Sequence, residues 1–168
     1  LDELVGQLAE GAVLLLRMHV LVADAIDIPE HLRDRVIDVS RYSEIQELYL
    51  ASDVLVTDYS SVFFDAALLR KPIVFHAYDL ENYRDSLRGF YLDYERDLPG
   101  RITQTTPQLA AAISDGLRDG IEEDQRDAFL ARFAPHDDGH ASARVVDVLY
   151  ETKDTSRRAS LLSRLLRR

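Results

Sequence analysis

The sequence predicts an α/β fold in which a parallel sheet carries helices on both faces. Three observations predict it. Ala12–Arg17 (AVLLLR) and Pro72–Phe75 (PIVF) are short, unbroken apolar runs, the pattern of strands buried on both sides. Asp53–Phe75 reads strand, turn, helix, strand, a βαβ unit whose sheet must be parallel and whose crossover is right-handed. The 168 residues are 46% hydrophobic with 7 Gly and 5 Pro, enough to bury one core and too apolar for a disordered chain.

In chain order, the opening LDELVGQLAEG is polar with the look of a helix. It lacks a basic segment followed by an apolar one, so no signal peptide is expected. It also starts within a helix and without Met, as a chain cut from a longer protein would. Ala12–Arg17 is the first strand and Val36–Val39 a second, shorter one. Ser43–Ala51 places Ile45, Leu48 and Tyr49 at helical spacing behind Ser43 as N-cap. Asp53–Thr57 is a strand, Val62–Leu69 a helix, and Pro72–Phe75 a strand. Tyr78–Arg101 is aromatic, polar and irregular. At that length it is longer than an ordinary connection, a property of functional loops. Helices are expected near 107–118, 122–132 and 139–150. The domain is expected to span 1–152, leaving 153–168 as a tail.

Charge narrows the function classes. The net charge is −10, unevenly spread. Residues 153–168 hold six basic side chains against Asp154, a balance of +5. Residues 1–152 hold 14 basic against 29 acidic, a balance of −15. An acidic body does not suit nucleic acid, whose binding is driven by phosphate neutralisation. There are no cysteines, which removes disulfides, thiolate metal sites and Cys nucleophiles. No stretch approaches the ~20 apolar residues that span a bilayer.

The chemistry concentrates in DVLVTDYSSVFFD, Asp53–Asp65. A strand ends, small hydroxyl residues turn the chain, and a helix begins. The first N–H groups of a helix have no partner within it, and the helix dipole adds partial positive charge there. Ser60 and Ser61 add two hydroxyl donors, so the turn reads as an anion site at the carboxyl edge of the sheet. By pattern alone, Asp58 or Ser60 serving only as a helix cap fits equally well. Asp65, one turn further on, can reach a ribose hydroxyl or can be a solvated carboxylate favoured by the dipole. His19 follows the first strand and faces the same edge, where it could bind or protonate a phosphate oxygen; an ordinary partly buried His is the alternative. His31 and His76 read as structural. His136 and His140 flank Asp137-Asp138-Gly139, a spacing that matches no defined zinc set.

Four pieces read together resemble one family: Arg17-Met18-His19, LYLASDVLVTDYSSVFFDAALLRKPIVFHAYD (Leu48–Asp79), RGFYLDYERDLPG (Arg88–Gly100) and FAPHDDGHASARVVDVLY (Phe133–Tyr150). Their order and content resemble the carboxy-terminal domain of the CDP-glycerol glycerophosphotransferases, which build teichoic acid chains. The resemblance implies a Rossmann-like domain, the carboxy-terminal half of a two-domain GT-B fold. It implies transfer of glycerol phosphate, or a related polyol phosphate, from a CDP-activated donor to a lipid-linked acceptor. In that reaction an acceptor hydroxyl attacks the donor β-phosphate and CMP leaves. By the same resemblance His19 serves the phosphates or the leaving group. Ser60, Ser61, Asp138, Gly139 and Ser142 match donor-phosphate elements. Asp65 sits where related nucleotide-sugar enzymes place a ribose-binding acid, and Asp58, Arg88 and Gly89 belong to loops beside the site. The family's second His, its general base, belongs to an amino-terminal half outside this sequence. Met18-His19-Val20 also lacks the Pro that often follows the strand-end His. Transfer of this kind needs positioning and charge stabilisation more than covalent help. No carboxylate cluster of a tight divalent-metal site is apparent, so neither metal nor cofactor is expected.

Two other readings remain. A GT-B nucleotide-sugar glycosyltransferase or epimerase shares the Ser-turn but should lack RGFY-DY with LPG. A non-catalytic α/β interaction domain predicts no nucleotide binding. Finally, SRRASLLSRLLRR, from Ser156 on, sets Ala159, Leu162 and Leu166 on one side of a helix and Arg157, Arg164 and Arg168 on the other. Such a helix lies on an anionic membrane or docks on its own domain. With a lipid-linked acceptor, the expectation is a peripheral protein on the cytoplasmic face of the membrane.

Overall fold

The computed structural model describes residues 1–19, 27–87 and 89–151. The chain divides into two compact units, Leu1–Ala131 and Arg132–Arg168. In the first, α1 (Asp2–Gln7) leads to β1 (Leu14–Leu16), and a 3-10 turn (Glu30–Leu32) leads to β2 (Val36–Asp38). Then come α2 (Ile45–Ala51), β3 (Leu55–Thr57), α3 (Val62–Ala67), β4 (Ile73–His76), α4 (Leu80–Asn82) with a π-turn at Tyr83–Leu87, β5 (Arg101–Thr103), α5 (Thr106–Asp119) and α6 (Glu123–Phe133). The second unit holds α7 (Ala141–Val146), continued by a π-turn over Asp147–Glu151.

All strand pairs are parallel, as expected, but they form two hydrogen-bonded sheets where one was expected. β1 pairs with β2, in the register Leu14 to Val36. The other sheet has the order β3-β4-β5. Among the described residues, α1 rather than a β1–β3 ladder links the two cores. Its Val5 is buried with Leu32 and Val36 under β1 and β2. Its Leu4 and Leu8, one turn apart, pack on Val74, Leu109, Ala112 and Ile113.

β4 is the centre of the larger sheet and is buried along its length, with Ile73, Val74 and Phe75 at 4%, 2% and 0% exposure. Successive side chains of a strand point to opposite faces. Val74 meets Leu109, Ala112 and Ile113 of α5, whereas the Phe75 ring meets Phe63 of α3 edge-on at 5.2 Å. Helices therefore cover both faces of this sheet.

Two sequence details set its edges. β5 was not legible as a strand, because RIT carries one apolar residue and follows a Pro-Gly pair. Gly100 makes the approach possible: a Cβ there would lie 2.0 Å from the Ile73 carbonyl oxygen. Lys71 closes the amino end of β4. Its ammonium donates to the carbonyls of Tyr49, Leu50 and Ser52 at 3.0, 2.6 and 2.6 Å, satisfying the last turn of α2. The cap expected at the start of α2 shifts by one residue. Glu44 occupies the N-cap without a side-chain bond. α5 does begin with a capping box, Thr105 and Gln108 bonding each other's backbone N–H groups, with Pro107 in its first turn.

Candidate functional site

The carboxyl end of β3 carries the serine turn. β3 ends at Thr57, and the chain turns through Asp58-Tyr59-Ser60-Ser61 into α3. The Asp58 carboxylate accepts the Ser60 N–H at 3.0 Å, so Asp58 shapes the turn by a side-chain-to-backbone bond, as short acidic residues do. Ser61 is the N-cap of α3 but makes no side-chain capping bond. The Ser60 hydroxyl is 3.5 Å from the Val62 N–H, the outer limit of a hydrogen bond. Both serines are exposed. The helix they open has six residues.

The turn is braced from below by rings. Tyr59 stacks on Tyr83 with centroids 3.8 Å apart, and also meets Phe90 and Tyr94 at 5.7 and 5.5 Å. Phe90 stacks on Tyr94 at 4.5 Å, and Tyr94 meets Phe75 of β4 edge-on. The hydroxyls are used as well: Tyr59 donates to the Asp79 carboxylate at 2.6 Å, and Tyr94 donates to the Asp58 carbonyl at 3.0 Å. Burial, reinforced by Asp79, pushes the Tyr59 phenol far above its usual range. Burial first and Asp58 second do the same to Tyr94. Both therefore remain neutral donors. Sequence reasoning singled out neither tyrosine. The signal was present as three aromatics in RGFYLDY and one inside the serine turn, with no spacing rule to join them.

Gly89 has φ of +68°, a conformation glycine adopts without strain, and its N–H donates to the Tyr83 carbonyl at 3.2 Å. That reversal brings Phe90 back over Tyr83. Arg88 lies outside the described residues.

Asp65 is exposed in the first turn of α3. Burial raises the pKa of the Tyr49 phenol, the Asp65 carboxylate raises it further, and Arg17 opposes. Tyr49 thus feels charge from both α3 and the exit of β1. At that exit Arg17 donates to the Val39 and Tyr42 carbonyls at 3.2 and 2.6 Å. The Met18 N–H donates to the Ser40 hydroxyl at 3.0 Å. His19 follows them, exposed.

In the second unit, Gly139 has φ of +80°, and the Asp138 carboxylate accepts the His140 N–H at 2.9 Å. Asp138 also holds Arg144 through both oxygens, at 2.7 and 2.8 Å. The Arg144 bond and the His140 N–H keep its carboxyl below the usual range. A carboxylate so engaged repels a phosphate. What this turn can offer an anion is the Arg144 guanidinium and the backbone near Ser142, which is exposed in the first turn of α7.

The first unit also carries cavities. One of about 340 Å³ lies against the aromatic loop, between Leu80, Arg84, Phe90 and Tyr94. Another, about 310 Å³, opens at the opposite, amino ends of β4 and β5, beside Pro72 and Arg101. Of its lining charges, Arg101 pairs with Asp115, which also holds Arg118. Among the described residues no three His, Asp or Glu side chains are grouped as a metal site, and no helix is long and apolar enough to cross a membrane.

Comparison with known proteins converges on one group. The family model described as CDP-Glycerol:Poly(glycerophosphate) glycerophosphotransferase matches residues 1–151. A teichoic acid glycerol-phosphate transferase of Staphylococcus aureus is 46% identical over 147 residues, covering 86% of this chain and 36% of that protein. A teichoic acid poly(glycerol phosphate) polymerase of Bacillus spizizenii is 42% identical, covering 89% and 37%. The solved structure of the wall teichoic acid polymerase TagF superposes with a TM-score of 0.77 at 41% identity, covering 90% of this chain and 37% of that one. A His-to-Asn variant of that polymerase soaked with CDPG gives 0.76 at 42% identity, covering 90% and 38%. The chain spans little more than a third of the length of these relatives.

Proposed function

The chain belongs to the CDP-glycerol:poly(glycerophosphate) glycerophosphotransferase family, and we propose that it is the donor-binding part of such an enzyme. In this reading it is the carboxy-terminal, Rossmann-like half of a GT-B pair. It holds CDP-glycerol, or a related CDP-polyol, while polyol phosphate passes to a lipid-linked acceptor in teichoic acid synthesis.

One observation carries the reading. Within the family-matched segment, the β3–α3 turn is locked by Asp58, while the Ser60 and Ser61 hydroxyls stay exposed at the carboxyl end of a parallel strand. Phosphate groups of nucleotides bind in that position in open α/β sheets. The donor diphosphate meets Ser60 and Ser61, and Asp65 takes a ribose hydroxyl. Gly139 and Ser142 are further donor-phosphate residues of the family-matched segment, and Asp138 acts by holding Arg144. Asp58 and Gly89 shape the loops around them, and Arg88 belongs to the same RGFY loop. The acceptor hydroxyl gives its proton to a base outside this chain and bonds to the β-phosphorus. The bond from that phosphorus to the bridging oxygen breaks, and CMP leaves. His19 donates to the phosphate oxygen on which charge accumulates, as a donor aimed at developing charge does.

The test is steady-state transfer in the protein as naturally encoded. His19→Ala should lower turnover about a hundredfold or more, and Ser61→Ala should raise the KM for CDP-glycerol more than it lowers kcat. CDP-glycerol should bind in preference to UDP-sugars; the reverse preference would move the protein to the nucleotide-sugar enzymes. The 168 residues alone should bind CDP-glycerol weakly and transfer nothing. Attachment to membrane belongs to the same reading. Residues 153–168 lie outside the described residues, and deleting them should abolish sedimentation with anionic vesicles at low salt. Sedimentation that survives the deletion, or ignores lipid charge, would remove the tail from this account.

A further inference from the structure

Resting on the reading of Ser60 and Ser61 as donor-phosphate residues, we propose that Tyr94 and Tyr59 are positioning residues that hold the Asp58–Ser61 backbone in the geometry that receives the diphosphate.

The serine turn is fixed from outside itself at three points. The Asp58 carbonyl is held by the Tyr94 hydroxyl at 3.0 Å. The Tyr59 ring is held by the Tyr83, Phe90 and Tyr94 rings. The Tyr59 hydroxyl is held by Asp79 at 2.6 Å, at the carboxyl end of β4. Tyr94 is in turn seated on Phe75, which is 0% exposed in the central strand. The path from sheet core to serine turn is therefore one edge-on ring contact and one hydrogen bond long. Ser60 and Ser61, the side chains left to meet a ligand, are exposed.

This division matches what anion binding requires. Donors aimed at a phosphate act fully only if their backbone does not reorganise on binding, and displacements near 1 Å are costly. A six-residue helix cannot hold its own first turn rigidly by length, since short helices depend on tertiary contacts. The loop that supplies the brace, Gly89–Gly100, thereby gains a role: Phe90 and Tyr94 clamp the turn, and Gly89 folds them back onto it.

Tyr94→Phe separates bracing from mere filling, because it keeps the ring and removes the hydroxyl bond to Asp58. In the naturally encoded protein, Tyr94→Phe should raise the KM for CDP-glycerol and the inhibition constant of CDP about fivefold, the size of one hydrogen bond. The kcat should stay within about twofold, and the inhibition constant of cytidine, which has no phosphate, should not move. Tyr59→Phe should do the same through Asp79, and it decides the matter if Tyr94→Phe does not fold. A lower melting temperature with unchanged CDP-glycerol KM, or equal losses for CDP and cytidine, would overturn the proposal. Ser61→Ala belongs in the same series. If it raises the donor KM while both Phe variants leave it unchanged, only the positioning role fails. If it also leaves the KM unchanged, the donor-phosphate reading fails and takes this inference with it.

Discussion

Tyr59 and Tyr94 each sit where their ionised forms would be badly solvated, with Asp79 and Asp58 nearby adding repulsion. The folded-state pKa of each is raised above its unfolded value near 10. Protonation-linked stability is thus complete below about pH 10 and is lost as pH rises through the folded pKa values. Melting temperature should fall more steeply above about pH 10 than below it, and Tyr94→Phe should flatten that fall. A wild-type protein whose phenolate absorbance appears in full near pH 10 while still folded would contradict this. Arg126 poses a different residue-scale question. It is 3% exposed, pairs with the neighbouring Asp127, and leaves its Nη1 without a partner among the described residues. An orphaned buried donor costs about 1–3 kcal/mol, so Arg126→Met should be neutral or stabilising in a thermal melt. A marked loss would mean that a partner such as water satisfies Nη1. The sequence marks Arg126 only as one more charge on a helix.

At the scale of elements, two motif residues that carry no chemistry turn out to hold the sheet together. Lys71 of the KP pair spends all three ammonium protons on the last carbonyls of α2. Bonds from a charged donor contribute about 1.5–3 kcal/mol, so Lys71→Met should lower stability by about that much, with amide exchange rising first at the end of α2. Gly100 of LPG is required for a steric reason. The Ile73 backbone atoms that an added Cβ would strike, at 2.0 and 2.9 Å, cannot rotate away. Gly100→Ala should cost several kcal/mol and loosen the β4–β5 pairing. A variant that melts within a degree or two of wild type would show that the strands can separate without penalty. Both residues were legible as parts of a motif, but their tasks were not. A lysine that caps a helix 20 residues upstream leaves no local pattern.

Across the first unit as a whole, α1 is the member that belongs to both cores. Val5→Ala removes a side chain 3% exposed beside Val36 and Leu32. It should cost about 2 kcal/mol and keep a single cooperative melt. Separate transitions for the two ladders would show that α1 does not couple them. The sequence by itself determined the parallel α/β class, the βαβ unit at Asp53–Phe75 and the family. Apolar runs, turn residues and motif order are local, and each element depends on its own neighbours for its period. Tertiary structure alone decided that the strands pair as two ladders, that RIT joins as β5, and that Phe90 and Tyr94 reach the serine turn some 30 residues upstream. Those outcomes depend on which side chains meet across long separations in sequence, and the energy of a ring stack or a carbonyl bond carries no signature in the order of the residues that form it.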